Sequence, residues 1–285
     1  MNVPTRPESA SRLPRLRPRL VACDLDGTLF PLNDPDVQPA VTAGVAALRH
    51  AGVRFVISTG RMFRSAKATA ASLGITDGTI VCYQGAVVAN LATGERLLTR
   101  PVSSELAAEV VRTARTMHRH VNAYIDDELC VEVLDRLTEM YMRRGAVGAT
   151  VDADLEAAVL ASPPDKLLIL TEPDDAPRLL PVFRERWAGR LAVTISQPGY
   201  VEITAPEATK RGALEYLARD WGVEAGRTVA CGDGLNDLDM LEWAGFAVAM
   251  AEADARVREA ADLVVPQVEI GELLRRLASL PEGSA

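Results

Sequence analysis

In residues 19–30 (RLVACDLDGTLF) an apolar run ends at Asp24, and Asp26 follows two positions later. In residues 228–241 (TVACGDGLNDLDML) a second apolar run ends before Asp233, with Asp237 four positions on. Residues i and i+2 of an extended segment point the same way, so Asp24 and Asp26 should reach one pocket unless the turn at Gly27 rotates the second. Crowded carboxylates repel one another and call for a cation or a shared proton. An all-oxygen site of this kind suits Mg²⁺. Gly232 and Gly234 open the loop around Asp233, whereas Asn236 and Asp237 read equally well as helix caps.

Two further segments carry anion-binding groups. In VISTGRMF (residues 56–63), Ser58, Thr59 and the amides around Gly60 form a phosphate-sized donor cluster at a helix start, and Arg61 adds charge. The same residues would also serve as an ordinary strand-to-helix turn. Lys210, in APEATKRGALEYL, opens a helix where the macrodipole disfavours a cation. That placement makes sense if Lys210 faces an anion; otherwise it is a solvated lysine.

The elements that must position these groups alternate. RLVACDL, VRFVIST and GTIVCYQG read as buried strands, and PAVTAGVAALRHAG and FRSAKATAASLG as the helices between them. This is the pattern of an α/β fold, a Rossmann-like doubly wound parallel sheet with helices on both faces. In such sheets ligands bind beyond the carboxyl ends of the strands, where the strand order reverses. From residue 86 antiparallel signals dominate, beginning with a hairpin that turns near Thr93-Gly94. From about residue 208 the first texture returns. The division expected is a disordered basic, Pro-rich tail (1–18), a core (19–85 and 200–285) and an inserted α+β cap domain (86–199), a segment too long for a simple loop.

Composition narrows the function. A net charge of -8 argues against nucleic acid or an anionic membrane surface as partner, though not against a small anionic substrate. Four scattered cysteines without a CxxC pair fit reduced, buried thiols in a cytoplasmic protein. The first 19 residues hold five Arg and four Pro but no apolar stretch of a secretory signal, and no window suits a membrane span.

DLDGTL, STGR, a Lys before a helix and GDGLND, in that order, resemble the four motifs of the haloacid dehalogenase superfamily. The long insert between the second and third motifs is similar to the type II cap of its Cof-like branch, and FAVAMAEADARVREAAD also resembles that branch. The resemblance implies a Mg²⁺-dependent phosphatase acting on a small phosphorylated metabolite. It implies that Asp24 is the nucleophile that becomes an aspartyl phosphate and that Asp26 is the acid and then the base. It further implies that the Asp24 carboxylate, the Asp26 carbonyl and Asp233 hold the metal with help from Asp237, and that Thr59 and Lys210 bind the phosphoryl oxygens. A phosphomutase or a dedicated phosphosugar phosphatase would share every motif, and a non-catalytic sensor would keep the site without turnover.

The chain departs from the branch in two places: Gln84-Gly85-Ala86 stands where Asn-Gly-Ala is common, and VVPQVEIGELL is a shortened version of the usual segment after the last strand. Specificity is expected in cap loops facing the core. Candidates are Tyr124, Asp126 and Asp127, whose acidic tip would suit hydroxyl-rich or cationic substrate parts, with Arg143, Arg144 and Lys166 beside them. Each of these could equally be solvated surface.

Overall fold

A computed structural model describes residues 13–31, 38–145 and 147–283, apart from the side chains of 144 and 145. The first twelve residues of the expected tail, and the Arg144 side chain, lie outside the described residues. Strands β1 (Leu20–Cys23), β2 (Arg54–Ser58), β3 (Thr79–Cys82), β4 (Val87–Asn90) and β5 (Arg96–Thr99) come first. They are followed by β6 (His120–Ile125), β7 (Glu128–Val131), β8 (Thr150–Val151), β9 (Lys166–Leu170), β10 (Ala192–Gln197) and β11 (Tyr200–Thr204). The last three are β12 (Thr228–Gly232), β13 (Phe246–Met250) and β14 (Leu263–Val265).

Among the described residues these strands make two sheets. The larger has the order β14-β13-β12-β1-β2-β3-β4-β5, parallel from β14 to β3. The smaller has the order β10-β11-β9-β6-β7-β8 and is antiparallel except for its β7–β8 pair.

Short apolar runs become the parallel strands because both of their faces are covered. All four residues of β1 are buried; Val21 and Cys23 join one apolar cluster and Leu20 and Ala22 another, as period-2 alternation requires. Helices α1 (Pro39–His50) and α2 (Phe63–Ser72) supply the first cluster. Inside the insert lie α3 (Ser104–Thr116), α4 (Arg136–Gly145), α5 (Leu155–Ala161) and α6 (Ala176–Arg186). Then α7 (Lys210–Asp220), α8 (Leu238–Trp243) and α9 (Ala255–Glu259) cover the second face, and α10 (Ile270–Ala278) returns to the first.

In the cap, α3, α5 and α6 bury Val111, Val159 and Phe183 on one face of the smaller sheet. Its other face contributes Tyr124, Leu129, Leu168 and Leu170 to the cluster that also holds β1 and α1. One apolar cluster therefore runs from the core into the cap, and the two units are closed on each other.

The expected boundaries need correction at both ends of the insert. The hairpin β4–β5 pairs antiparallel with β3 and extends the larger sheet, so that sheet continues to Thr99 rather than ending before residue 86. At the other end β11 pairs with β9 and β10, so the smaller sheet runs to Thr204 rather than ending before residue 200. Alternation identifies a strand, but pairing is decided by which sheet edge is free, and that is a tertiary property. No described helix is long and apolar enough to cross a membrane.

Candidate active site

The strand order reverses at β1, with β2 on one side and β12 on the other. Asp24 follows β1 and Asp233 follows β12, so both sit in the crevice at the carboxyl ends of the strands. Asp24, Asp233 and Asp237 converge, each offering one oxygen within 4.8 Å of the others. Lys210, at the first position of α7, places Nζ 2.6 Å from Asp24 Oδ1 and 2.5 Å from Asp237 Oδ1. The lysine is thus fully buried against carboxylates, not solvated.

The charges in this cluster explain one another. Burial pushes the Asp24 carboxyl well above its ordinary value; Lys210 opposes that rise, while Asp237, Asp233 and Asp26 add to it. Burial and the neighbouring Asp237 push Asp233 up to about 7, against an opposing hydrogen bond from Thr28. For Lys210 burial disfavours the ammonium, but Asp237 and Asp24 outweigh it and hold the group above its usual value. One lysine leaves three crowded carboxyls incompletely neutralised, and this all-oxygen set of hard donors fits a divalent cation.

Asp237 combines the two readings open to it. Its Oδ2 accepts from the amides of Asp233 and Gly234 at 3.1 and 2.9 Å, closing the glycine loop, while Oδ1 meets Lys210. Thr28 Oγ1 donates to Asp233 Oδ1 at 2.8 Å and so ties the first acidic segment to the last. The two meet closely at Gly27, whose φ of +88° and missing side chain leave room for Asp233; a Cβ there would lie 2.2 Å from Asp233 Oδ2.

Asp26 departs from the expectation that both carboxylates enter one pocket. The turn at Gly27 sends its carboxylate to Arg61, which donates through Nε at 2.8 Å and Nη2 at 2.5 Å. Arg61 also donates to Thr69, so its charge is spent on Asp26 and not on the Ser58–Gly60 cluster as expected. Thr59 is buried, with its hydroxyl accepting from the Arg61 amide, and Ser58 Oγ is buried without a partner among the described residues. Gly60 lies against Gln84, where a Cβ would be 2.3 Å from Nε2, and its carbonyl accepts from Lys166 Nζ at 2.8 Å.

Gln84 holds the place of the family's Asn. Its Oε1 accepts from Asn236 at 3.0 Å, and its buried Nε2 has no partner among the described residues. Tyr83 and Gln84 both adopt positive φ, 52° and 60°, a strained bend between β3 and β4 that turns Gln84 toward Asn236 and Tyr83 toward Asp127. The shortened segment after β14 also takes part: Gln267 Nε2 donates to the Thr28 carbonyl at 3.1 Å, bracing the turn behind Asp26.

The cap residues divide differently from expectation. Asp127 accepts from the Tyr83 hydroxyl at 2.5 Å and from the Arg64 amide at the start of α2, so it docks the cap on the core and is not an open acidic tip. Asp126 accepts from Ser162. Tyr124 is fully buried, with its hydroxyl on Tyr141 and Lys166 Nζ 4.6 Å over its ring. Lys166, which could have been solvated, is 2% exposed and pairs with the buried Glu202 at 2.8 Å. Arg143 is exposed and pairs with Glu139.

Tyr83, Tyr141 and Glu202 carry no motif that would have singled them out. Thr28 lies inside DLDGTL, where a hydrogen bond tying the turn is expected, and that bond reaches across to Asp233; Gln267 lies in the shortened segment after the last strand.

Residues 21–271 match the family model described as haloacid dehalogenase-like hydrolase. The chain is 28% identical over 255 residues to the phosphoglycolate phosphatase of Archaeoglobus fulgidus, covering 88% of this chain and 91% of that protein. It is 26% identical over 266 residues to the pyridoxal phosphate phosphatase YbhA of Escherichia coli (strain K12), covering 87% and 93%. A crystal structure from Thermotoga maritima superposes with a TM-score of 0.78 at 29% identity, covering 90% of this chain and 97% of that one. With the acidic crevice and the inserted second sheet, these matches place the protein: the chain belongs to the haloacid dehalogenase-like hydrolases, in their Cof-like branch.

Proposed function

We propose that this hydrolase cleaves the phosphoric monoester of a small phosphorylated metabolite, a sugar phosphate or a compound of similar size, with Mg²⁺ and an aspartyl-phosphate intermediate. The observation that carries the reading is the convergence of Asp24, Asp233, Asp237 and Lys210 in one buried crevice.

An Asp24 carboxylate oxygen forms the new P–O bond as the ester oxygen leaves, and Asp26 gives the leaving alkoxide its proton. Asp26 then takes a proton from the water that attacks the aspartyl phosphate, which frees inorganic phosphate and restores Asp24. In this structure both Asp26 oxygens accept from Arg61, so Asp26 exchanges that contact for the leaving oxygen when it acts as acid. The Lys210 ammonium, which lies beside Asp24, and the Thr59 hydroxyl bind phosphoryl oxygens as negative charge shifts in the transition state. The Asp24 and Asp233 carboxylates and the Asp26 carbonyl, with Asp237 directly or through water, would hold Mg²⁺, which supplies charge neutralisation at the phosphoryl group.

Lys166, reaching from the cap to the Gly60 carbonyl, and Asp127, reaching to Tyr83, close the site over a small substrate and exclude bulk water. The test is hydrolysis of p-nitrophenyl phosphate with Mg²⁺, followed by a panel of phosphorylated metabolites. Metal-dependent turnover that disappears in Asp24→Asn is expected. Full turnover in excess EDTA, or in Asp24→Asn, would overturn the mechanism.

A further inference from the structure

At the opposite edge of the larger sheet, the amino ends of β1, β2, β3 and β12 open onto a cleft of about 550 Å³. The size is that of a ligand site. Five arginines line it, at positions 17, 19, 49, 54 and 227, against two acids, Asp77 and Glu282. In a chain of net charge -8 this is a concentrated local reversal of sign.

The two acids are already engaged, Asp77 by Arg49 and Glu282 by Arg17. Arg19, Arg54 and Arg227 have no carboxylate partner among the described residues. Arg19 donates to the Gly222 carbonyl at 3.3 Å. Arg54 lies over the Trp221 indole at 4.5 Å, which holds its guanidinium at the cleft wall. Arg227 donates to the Arg17 carbonyl at 2.9 Å and leaves its buried Nε without an acceptor among the described residues.

We propose that this cleft binds a small anion carrying two linked phosphoryl groups. Guanidinium forks match phosphoryl oxygens in geometry, and three such charges match the roughly three negative charges of a diphosphate near neutral pH. The site is separate from the catalytic crevice. The sheet stands between them, and at about 3.3 Å per residue Arg19 is roughly 17 Å along the chain from Asp24. A ligand here is therefore not the substrate of the hydrolytic site, and its binding neither requires nor tests the proposed phosphatase chemistry.

The experiment is titration calorimetry of the full chain with inorganic pyrophosphate at low salt in EDTA. Without a divalent ion the catalytic crevice presents crowded carboxylates and repels anions. One-to-one binding is expected, weakened about tenfold or more in Arg19→Gln and in Arg54→Gln and retained in Asp24→Asn. Both arginines are exposed, and unchanged melting temperatures of the variants confirm intact folding.

Several outcomes would overturn the proposal: no binding at millimolar pyrophosphate, equal binding in both arginine variants, loss of binding in Asp24→Asn, or orthophosphate binding as tightly as pyrophosphate. Binding of an oligonucleotide but not of pyrophosphate would also overturn it. ADP serves as a second probe. Affinity equal to that of pyrophosphate shows recognition of the phosphoryl pair alone, and tighter binding shows a nucleoside diphosphate resting on Trp221; either supports the site.

Discussion

Asp24 and Lys210 form the contact on which the proposed chemistry turns, and each is costly to bury without the other. Replacing Asp24 by Asn keeps the shape and removes the charge of the proposed nucleophile. Turnover of p-nitrophenyl phosphate should fall by at least about 10³-fold, with the far-UV circular dichroism unchanged. Gly27 is the residue where space decides the outcome. Ala at this position must adopt a φ of +88° and place a methyl carbon 2.2 Å from Asp233 Oδ2. Urea denaturation should show a loss of about 1–3 kcal/mol for Gly27→Ala, with most of the activity gone because Asp233 is displaced. Wild-type stability and activity in Gly27→Ala would refute the close packing of the two acidic segments.

At the level of elements, cap and core are held by a few polar contacts laid over a shared apolar cluster. The Lys166–Glu202 pair joins β9 to β11 and reaches down to the Gly60 carbonyl between β2 and α2. Lys166→Met leaves Glu202 buried without its partner, which should cost about 3–5 kcal/mol in denaturation, whereas Lys166→Met/Glu202→Leu should recover much of that loss. If the single variant is as stable as wild type, Glu202 is not desolvated as described. The Tyr83–Asp127 contact works on a smaller scale. Tyr83→Phe removes one hydrogen bond to a charged group, should cost about 1.5–3 kcal/mol at most, and should raise KM more than it lowers kcat by loosening cap closure. A kcat effect with unchanged KM would tie Tyr83 to the chemistry instead.

Over the whole molecule, the crowded carboxyls link folding, pH and metal. Asp233 titrates at about 7 in the fold against an ordinary 3.8, and burial raises Asp24 in the same direction. A raised carboxyl favours the protonated fold, so the stability it contributes is complete below about pH 4 and is lost as pH climbs through about 7. The metal-free protein should melt at progressively lower temperature between pH 5 and pH 8 on this account. If the proposed Mg²⁺ takes the place of the proton, the rise in melting temperature on adding it should grow over the same window. Scanning fluorimetry with MgCl₂ or EDTA at several pH values measures this directly. A pH-independent Mg²⁺ shift would mean that these carboxyls are not the metal's ligands.

Much of this molecule was legible from local pattern. Apolar runs such as LVAC and TVAC have no polar face, so they had to be buried parallel strands, and whatever follows such a strand lies at the sheet's carboxyl edge. That rule put Asp24 and Asp233 at the sheet edge, whereas Ser58, Thr59 and Lys210 were open to ordinary turn and solvated-lysine readings and gained their roles only from the family resemblance. The direction of side chains after a turn was not legible: Gly27 sends Asp26 toward Arg61, and only the folded backbone shows that Arg61 is spent there. Nor were the sheet edges, because the hairpin β4–β5 could have paired with either sheet. The least legible features join segments far apart in the chain: Asp127 on Tyr83, Lys166 on Gly60, Gln267 on Thr28, and the arginine cleft gathered from the amino ends of four strands. Sequence by itself determined the strands and the acids at their ends, since both follow from short-range hydrophobic pattern. Tertiary structure alone decided which of those charges face one another, because that depends on how strands order and how the cap closes.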